Sequence, residues 1–419
     1  MGTTFIFLGA LIFCAHLFAA FFRRSRVPDV LFLVLIGILL GPVLGWVTPD
    51  MLGGVGSLFA SITLVFILID SGIDMSISNL KRYWVGIVQV TFYSFCLSMV
   101  VAMTVVHYVV GLEWMPSLLL GSMVAGTGSS IVIPIIKQMK ISSQTQVVLT
   151  LESAISGVLC IVVALALMEG FKMGTVNVVQ IVGNVLASFI IAVIIGCFGG
   201  LVWSALLRRV RQLQNSMFLT PAFVFVIYGV TEALGFSGAI AALAFGIVLG
   251  NALYLEHSLI RRIVRRPLPR MQSLTDNEKS FFKEMVFILK TFFFVYIGIS
   301  IPFTDPEALL WGAVVAGALF MGRFLLVFLV GRHNTRTDRL IVSIMIPKGL
   351  VSAVLASMPV EINRAAGTII IPHAERIECM VYSIIFSSIV ICSVLVLLCR
   401  KRLIDTDYKP EQYEVYDYE

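Results

Sequence analysis

Apolar stretches about 20 residues long recur from one end of this chain to the other. A helix of about 20 apolar residues crosses the roughly 30 Å hydrocarbon core of a bilayer. Thirteen such stretches occur in the 419 residues, at 3–22, 27–48, 52–74, 84–110, 114–136, 146–169, 176–207, 217–233, 236–254, 281–301, 307–331, 339–359 and 377–399. The composition agrees, because 59% of the residues are hydrophobic, 13% are charged and the mean hydropathy is +0.99. The sequence therefore predicts an integral membrane protein that forms a single unit over 1–419.

The stretches predict transmembrane helices. They are uniformly apolar, whereas barrel strands alternate over about ten residues, and backbone that faces lipid must satisfy its own hydrogen bonds. The first stretch is predicted to remain as a helix, because Arg23, Arg24 and Arg26 follow it, whereas a cleaved signal peptide carries its positive charge before its apolar region. We predict an all-α polytopic fold of about 13 helices.

Lysine and arginine are unevenly distributed between successive loops. Positive residues collect in cytoplasmic loops, and most of the 30 lysines and arginines follow the odd-numbered stretches. Only Lys172, Arg364 and Arg376 fall in loops on the other side. The predicted topology is a multi-pass protein of the inner cell membrane, with its N-terminus outside and its C-terminus in the cytoplasm. The same distribution explains the net charge of +6, so no nucleic-acid partner is predicted.

The sequence contains no pattern typical of an enzyme. Its seven cysteines have no ligand-like spacing, its five histidines are scattered, and no nucleotide-binding loop occurs. We therefore predict no enzymatic activity, no cofactor and no metal other than a transported cation.

Three pairs of stretches resemble each other in the same order along the chain. Gly37–Gly41 in the second matches Gly246–Gly250 in the ninth, the third resembles the tenth, and the fifth and twelfth are both interrupted, at 125–134 and 346–352. The predicted topology gives the members of each pair opposite orientations, which is typical of the inverted repeats of secondary transporters. We predict two crossed broken helices, whose half-helix ends form a polar centre. The alternative for their small residues is close helix packing.

Five charged residues lie deep within the stretches: Asp70, Glu152, Lys290, Arg323 and Lys348. An ionisable group in the membrane is costly, so each is a candidate for function. Asp70 could bind or gate a cation beside Thr127, or serve as a capping or helix-bridging carboxylate. Lys348, in the second break, could neutralise carbonyl ends, and Lys290 could share that role. Arg323 is expected to reach a structural partner or the cytoplasmic surface.

Glu152 and Ser156 lie one turn apart on one face of a helix and could share a cavity. The alternative for Glu152 is a structural ion pair with Lys348 or Lys290 that never releases a proton.

These residues resemble the monovalent cation/proton antiporter superfamily, especially its prokaryotic sodium/proton members. The resemblance covers about residues 27–400, and its motifs are specific only in combination. They are Val27-Pro28-Asp29-Val30 before Gly37–Gly41, Thr127, Leu151-Glu152-Ser153-Ala154, Leu234-Gly235-Phe236-Ser237-Gly238-Ala239, Phe292-Phe293-Phe294-Val295-Tyr296-Ile297-Gly298 and Pro347-Lys348-Gly349-Leu350-Val351-Ser352-Ala353.

The resemblance implies a homodimer that works by moving a core domain. The core halves would be 52–136 and 281–359, with the sixth helix at 146–169 alongside. Helices in 1–48 and 176–254 would form the scaffold and dimer interface, and 400–419 a short cytoplasmic tail.

The resemblance also implies exchange of a monovalent cation, with Na⁺ the first candidate, for protons. The ion-binding set would be Asp70, Thr127, Ser129, Ser130, Glu152, Ser156 and Gly157, with Lys348 and Lys290 compensating charge. The family's carrier aspartate falls at Gly157, and Gly128 stands where many relatives have a second aspartate. Exchange could therefore be impaired, or Asp70 or Glu152 could have taken over. The alternatives are a passive channel or leak, and a non-transporting regulatory relative.

Overall fold

The computed structural model describes residues 9, 13, 16–17, 29–47, 55–136, 139, 141–173, 178–212, 216–255, 272–301, 305–330 and 336–404. Most of the first predicted stretch, the arginine-rich loop at 256–271 and the tail at 405–419 lie outside the described residues.

The described chain is helical and contains no strand, which confirms the predicted all-α class. The helices are α1 Asp29–Ile38, α2 Val55–Ile73, α3 Ile77–Val105, α4 Trp114–Val124, α5 Ser129–Ile136, α6 Ser143–Met173, α7 Val178–Val210, α8 Leu219–Ala233, α9 Gly238–Gly250, α10 Ala252–Leu255, α11 Asp276–Ser300, α12 Pro306–Val330, α13 Arg336–Ile344, α14 Leu350–Ala366 and α15 Ala374–Ile404. Single π-helical turns extend α1 over Leu39–Val43 and α3 over Val106–Val110, and a 3₁₀ turn at Ser216–Phe218 precedes α8.

Several of these helices are long and apolar enough to cross a membrane. In the described residues five qualify by length and composition alone: Val85–Val110, Gln144–Met173, Ala187–Val210, Pro306–Phe328 and Ala374–Cys399. The shorter apolar helices α8 and α9 pack against α7, which contains one of these five segments, and against α2. The prediction of a polytopic membrane protein is therefore confirmed.

The fifth and twelfth stretches are each broken in the middle. The chain unwinds over 125–128 between α4 and α5, and over 345–349 between α13 and α14. Each break contains residues that disfavour a continuous helix, among them Gly126 and Gly128 in the first and Pro347 and Gly349 in the second. The two predicted interruptions are confirmed.

The two breaks cross in backbone contact. The amide of Gly128 donates a hydrogen bond to the carbonyl of Pro347 at 2.8 Å. A Cβ atom added to Gly128 would lie 2.8 Å from the Cα of Gly349, and one added to Gly349 would lie 2.7 Å from the Cα of Gly128. Both positions therefore require glycine, because any side chain would push apart the two unwound segments that cross here.

The inverted repeat appears in the packing as two equivalent helix pairs. A Cβ on Gly37 of α1 would lie 2.1 Å from the carbonyl oxygen of Val295 in α11, and one on Gly298 of α11 would lie 2.8 Å from the Cα of Gly37. A Cβ on Gly246 of α9 would likewise lie 2.5 Å from the carbonyl oxygen of Ile69 in α2. The second stretch thus packs on the tenth, and the ninth packs on the third. In each case a helix of one half of the repeat contacts the helix that follows its counterpart in the other half, as expected for a repeat.

A hydrogen-bonded clamp joins α7 to the start of α11 at the predicted cytoplasmic face. Arg211 donates to Glu278 from Nη2 at 2.6 Å and from Nε at 3.1 Å, and its Nη1 donates to Gln272 at 2.7 Å. Thr275 and Glu278 form a capping box at the start of α11. Burial alone would raise the pKa of the Glu278 carboxyl, but the hydrogen bonds from Arg211 and Thr275 outweigh it and hold that pKa below its usual range.

Candidate functional site

A small cavity of about 20 Å³ lies beside the crossing of the two breaks. This volume holds about one water-sized species. The cavity is where α2, α6 and α9 face the two unwound segments. Its lining residues are Ile67, Leu68, Ser71, Gly126, Thr127, Gly128, Ser129, Ser153, Gly157, Cys160, Leu243, Gly349, Leu350, Val351 and Ser352. Most of its polar groups are hydroxyls and backbone amides.

The structure brings four of the predicted site residues together here. Thr127, Ser129 and Gly157 line the cavity. Ser156 lies against Thr127, since its Oγ accepts a hydrogen bond from the Thr127 amide at 3.1 Å and lies 3.2 Å from the Thr127 Oγ1. The side chain of Ser130 lies outside the described residues. The role of each in ion binding stays a prediction.

Sequence reasoning missed three serines of the lining. Ser153 lies four residues before Gly157 on α6, so helical spacing from Gly157 could have found it. Ser71 and Ser352 come from α2 and α14, and only the fold brings them to α6.

Gly157 lines the cavity, and a Cβ can be added there without a clash. That Cβ would meet one atom within 4 Å, the Cγ2 of Val351 at 3.5 Å, which is an ordinary van der Waals contact. No acidic residue is among those that line the cavity in the described part of the chain. The position matched to the carrier aspartate thus tolerates a Cβ that this chain does not have.

Glu152 forms a bidentate ion pair with Arg323. Arg323 of α12 donates to both carboxylate oxygens of Glu152, at 2.6 and 2.7 Å, and each side chain is 1% exposed. Arg323 also donates to the carbonyl of Val342 at 3.1 Å and to the hydroxyl of Ser94.

The alternative of a structural ion pair for Glu152 therefore names the wrong partner, because Arg323 and not Lys348 or Lys290 binds both carboxylate oxygens. Arg323 reaches a structural partner, which is the first of the two outcomes expected for it. The planar guanidinium matches a carboxylate in two-point contact, which an ammonium cannot do, and four acceptor atoms of three residues satisfy its buried donors.

Lys348 lies in the second break with its ammonium directed at the first. It is fully buried, its Nζ donates to the carbonyl of Gly126 at 3.0 Å, and its amide donates to the Ser388 hydroxyl at 2.9 Å. The Gly126 carbonyl follows the C-terminus of α4, where the helix dipole is negative. This geometry suits the charge-compensating role predicted for Lys348.

Lys290 and Asp70 are placed away from the cavity lining. Lys290 is buried in α11, with 9% of its surface exposed, and Asp70 is half-buried in α2 next to Ser71. Neither is among the residues that line the cavity. Their predicted roles stay predictions.

A larger cavity of about 820 Å³ opens at the helix ends predicted to face outside. Three carboxylates, Glu169, Glu232 and Glu361, and one ammonium group, Lys172, line this cavity, the outer vestibule. Lys172 lies 3.4 Å from Glu169 in an ion pair. Ile240 of α9 lines this vestibule, and Leu243 lines the small cavity one helical turn away. The vestibule therefore approaches the helix crossing from the predicted outer side.

Comparison with known proteins gives consistent matches over most of the chain. Residues 9–401 match the family described as sodium/hydrogen exchanger, transmembrane. Na(+)/H(+) antiporter 1 of Methanocaldococcus jannaschii is 24% identical over 383 residues, which are 87% of this chain and 85% of the relative. Na(+)/H(+) antiporter ApNhaP of Aphanothece halophytica is 29% identical over 237 residues, 56% of this chain and 44% of the relative.

Solved structures match the fold. The sodium proton antiporter MjNhaP1 from Methanocaldococcus jannaschii, in a structure at pH 8, superposes with a TM-score of 0.76 at 21% identity, over 94% of this chain and 98% of that one. A structure of the same protein by electron microscopy gives a TM-score of 0.77 at 20% identity, over 98% and 100%.

Proposed function

This chain belongs to the sodium/hydrogen exchanger family, and on that premise we propose that it exchanges a monovalent cation, Na⁺ before others, for protons across the inner cell membrane. The observation that carries the proposal is the small cavity at the crossing of the two broken helices, whose lining includes the hydroxyl residues Thr127, Ser129 and Ser153. Unwound backbone is tolerated in a membrane where it lines a cavity or is buried in protein, and secondary transporters place their ion sites there.

The proposed cation path runs from the vestibule to the cavity. Lys172 is ion-paired with Glu169, so Glu232 and Glu361 leave the vestibule with an excess of carboxylates that is attractive to cations. In the cavity, hydroxyls such as those of Thr127 and Ser153 offer oxygen ligands of the kind that hard cations prefer.

Exchange by this chain is proposed to be slow, because the cavity lining has no acidic group to hold a cation or a proton. Glu152 is an unsuitable substitute, since both of its carboxylate oxygens are bound to Arg323. At Gly157 an added Cβ makes only an ordinary van der Waals contact, so a side chain can start there beside the cavity. The second candidate function, a family member that no longer transports, is favoured by the same missing carboxylate.

Proton movement in reconstituted vesicles tests these proposals. Gradients of Na⁺, Li⁺ or K⁺ are imposed, and proton flux is followed with a pH-sensitive dye in the parent, Gly157→Asp and Gly157→Asn. We expect slow Na⁺-driven flux in the parent and a rise of roughly tenfold in Gly157→Asp, because an ion contact of about 1.4 kcal/mol changes an equilibrium constant tenfold. Gly157→Asn adds a side chain of similar volume without charge, so its Na⁺-driven proton flux should stay at the level of the parent.

Other outcomes separate the alternatives. If the flux seen in the parent is lost in Asp70→Asn, the ion site includes Asp70. Cation flux without proton coupling would identify a leak. If neither the parent nor Gly157→Asp shows any cation-driven proton flux, the result would contradict exchange and favour a non-transporting protein.

The assembly is proposed to be a homodimer in which 1–48 and 176–254 form the scaffold, and 52–136 and 281–359, with 146–169 alongside, form the mobile core. One support is a stripe of exposed apolar residues on α7, Ile190, Ile194 and Phe198, spaced one turn apart. The proposed orientation has the N-terminus outside and the C-terminus in the cytoplasm. The mass of the purified protein in nanodiscs measures the assembly, and a monomeric mass would contradict it.

A further inference from the structure

The backbone of the first break is held by partners outside its own helix. Buried amides need acceptors, and an unwound segment cannot supply them from its own turns. Three successive amides of the break donate to other parts of the chain: Gly126 to the Cys160 Sγ at 2.8 Å, Thr127 to the Ser156 Oγ at 3.1 Å, and Gly128 to the Pro347 carbonyl at 2.8 Å. Side chains of α6 therefore hold one side of the break, and the second break holds the other.

Cys160 lies against the first break and beside the small cavity. It is 1% exposed, and it lines the cavity together with Gly157, three positions earlier on α6. A Cβ added to Gly126 would lie 2.8 Å from the Cys160 Sγ, so the thiol is in direct contact with the backbone of the break. The sequence analysis assigned no role to Cys160 beyond the absence of ligand-like spacing among the cysteines.

Gly126 is bound through both its amide and its carbonyl. The amide donates to Cys160, and the carbonyl accepts from the ammonium of Lys348 at 3.0 Å. Glycine has few restrictions on its backbone angles, so these two contacts fix the conformation of Gly126. The next residue is Thr127, which lines the cavity. The direction in which the chain leaves Gly126 therefore sets where the Thr127 hydroxyl lies.

We propose that Cys160 is a positioning residue for the cation site in the small cavity. Its thiol holds the Gly126 amide, so that the Gly126 carbonyl stays on Lys348 and the Thr127 hydroxyl stays at the cavity. Sulfur is a weak acceptor, but without it a buried donor is left unpaired, which is costly. The inference rests on the proposed exchange function, because that function assigns this cavity to the transported cation.

Paired substitutions separate the hydrogen bond of Cys160 from the volume of its side chain. In the full-length protein, Cys160→Ser keeps an acceptor atom and Cys160→Ala removes it. Cys392 in α15 is the control, because it is 0% exposed and holds no amide of the first break. We expect Cys160→Ser to melt at a higher temperature than Cys160→Ala, whereas Cys392→Ser should not melt above Cys392→Ala, since a buried hydroxyl is costly where no donor awaits it.

The outcome in which a variant does not fold is also informative. If Cys160→Ala alone fails to fold, the result is the extreme form of the expected difference. If Cys160→Ser fails as well while both Cys392 variants fold, an acceptor at this position is not what the site requires, and the proposal is overturned.

Hydrogen–deuterium exchange locates the effect without any transport measurement. Deuterium uptake of peptides covering 119–128 is followed by mass spectrometry in the parent and the four variants. We expect Cys160→Ala to speed uptake there roughly tenfold, the value of one lost hydrogen bond, and Cys160→Ser to stay near the parent. Equal uptake in Cys160→Ala and Cys160→Ser would contradict the proposal.

Exchange is then measured in the Gly157→Asp background, where the proposed function predicts the higher flux. Adding Cys160→Ala should raise the half-saturating Na⁺ concentration roughly tenfold for equal amounts of folded protein, because a displaced Thr127 hydroxyl binds the cation less well, and Cys160→Ser should restore it. A fall in maximal rate alone would contradict a positioning role. If Gly157→Asp shows no flux, the exchange proposal fails, and the melting and deuterium-uptake results still decide whether Cys160 holds the break.

Discussion

Glu152 and Arg323 place two full charges side by side in the interior, each 1% exposed. Such a pair adds little net stability over apolar residues of the same volume, because desolvation offsets the attraction. Losing one member is a different matter, since the other charge then stays buried without a partner. The pair also ties α6 to α12 and, through Ser94, to α3.

The single variant Arg323→Met should therefore destabilise the fold by about 3–5 kcal/mol. The double variant Glu152→Gln with Arg323→Met should recover a large part of that loss, because neither charge remains. Melting temperature and yield of monodisperse protein measure both. Equal losses in the single and double variants would show that packing, not charge, dominates here.

Two cavity-lining glycines should respond oppositely to alanine. Gly128→Ala forces a methyl group to within 2.8 Å of the Gly349 Cα and should destabilise by about 1–3 kcal/mol. Gly157→Ala lies within α6 with space before it and should stabilise by about 0.5–1 kcal/mol, as alanine does in a helix interior. The melting temperatures of the two variants, measured side by side, test this difference. Equal effects of the two changes would mean that the segments crossing at Gly128 and Gly349 can move apart to accept the methyl group.

At the residue scale, sequence could identify the charged residues but not which of them pair. Arg323 and Glu152 are 171 positions apart, and three candidate cations were available for one carboxylate. Helical spacing did place Ser156 near Glu152, yet the Ser156 hydroxyl contacts Thr127 of another stretch. Partners across helices depend on packing that a local pattern does not contain.

At the scale of elements, the breaks and caps were easier to read than the helix lengths. Gly126, Gly128, Pro347 and Gly349 mark the two interruptions because their backbone preferences act locally. The ends of helices depend on tertiary contacts. α11 begins at Asp276, five residues before the predicted stretch, because Thr275 and Glu278 cap it and Arg211 binds that cap.

The Arg211–Glu278 clamp gives a defined pH dependence. The folded state holds the pKa of Glu278 below its ordinary value of 4.5, so the clamp's contribution is complete above that value and is lost as pH falls through the folded pKa. Glu278→Gln should flatten the loss of stability between about pH 5 and 3, with Glu284→Gln as control on the same helix. The same slope in both variants would exclude Glu278 as its source.

At the scale of the whole molecule, glycine contacts repeat across the inverted halves. α1 meets α11 and α9 meets α2 with backbones close enough that a Cβ at Gly37 or Gly246 would overlap a carbonyl oxygen. The repeat could be predicted because the same short motif recurs in both halves. Which helix of one half packs against which helix of the other could not be predicted, because it depends on three-dimensional packing.

Equivalent substitutions in the two halves should therefore have equivalent effects. Gly37→Ala and Gly246→Ala should each lower stability by about 1–3 kcal/mol, because the backbones of both helix pairs must separate. Gly86→Ala, with no atom within 4 Å of the added carbon, serves as control. Melting of detergent-purified protein is the measurement, and tolerance at one of the two positions would show that the halves pack unequally.

The different surroundings of Gly157 and Gly128 have a genetic consequence. Two of the four glycine codons become aspartate codons through one base change. At Gly157 the new Cβ would make only an ordinary contact, 3.5 Å from the Cγ2 of Val351, whereas at Gly128 it would lie 2.8 Å from the Cα of Gly349. Under selection for tolerance to sodium, we therefore expect an acidic residue to arise at position 157 in one step, and at position 128 only after the opposing segment has changed.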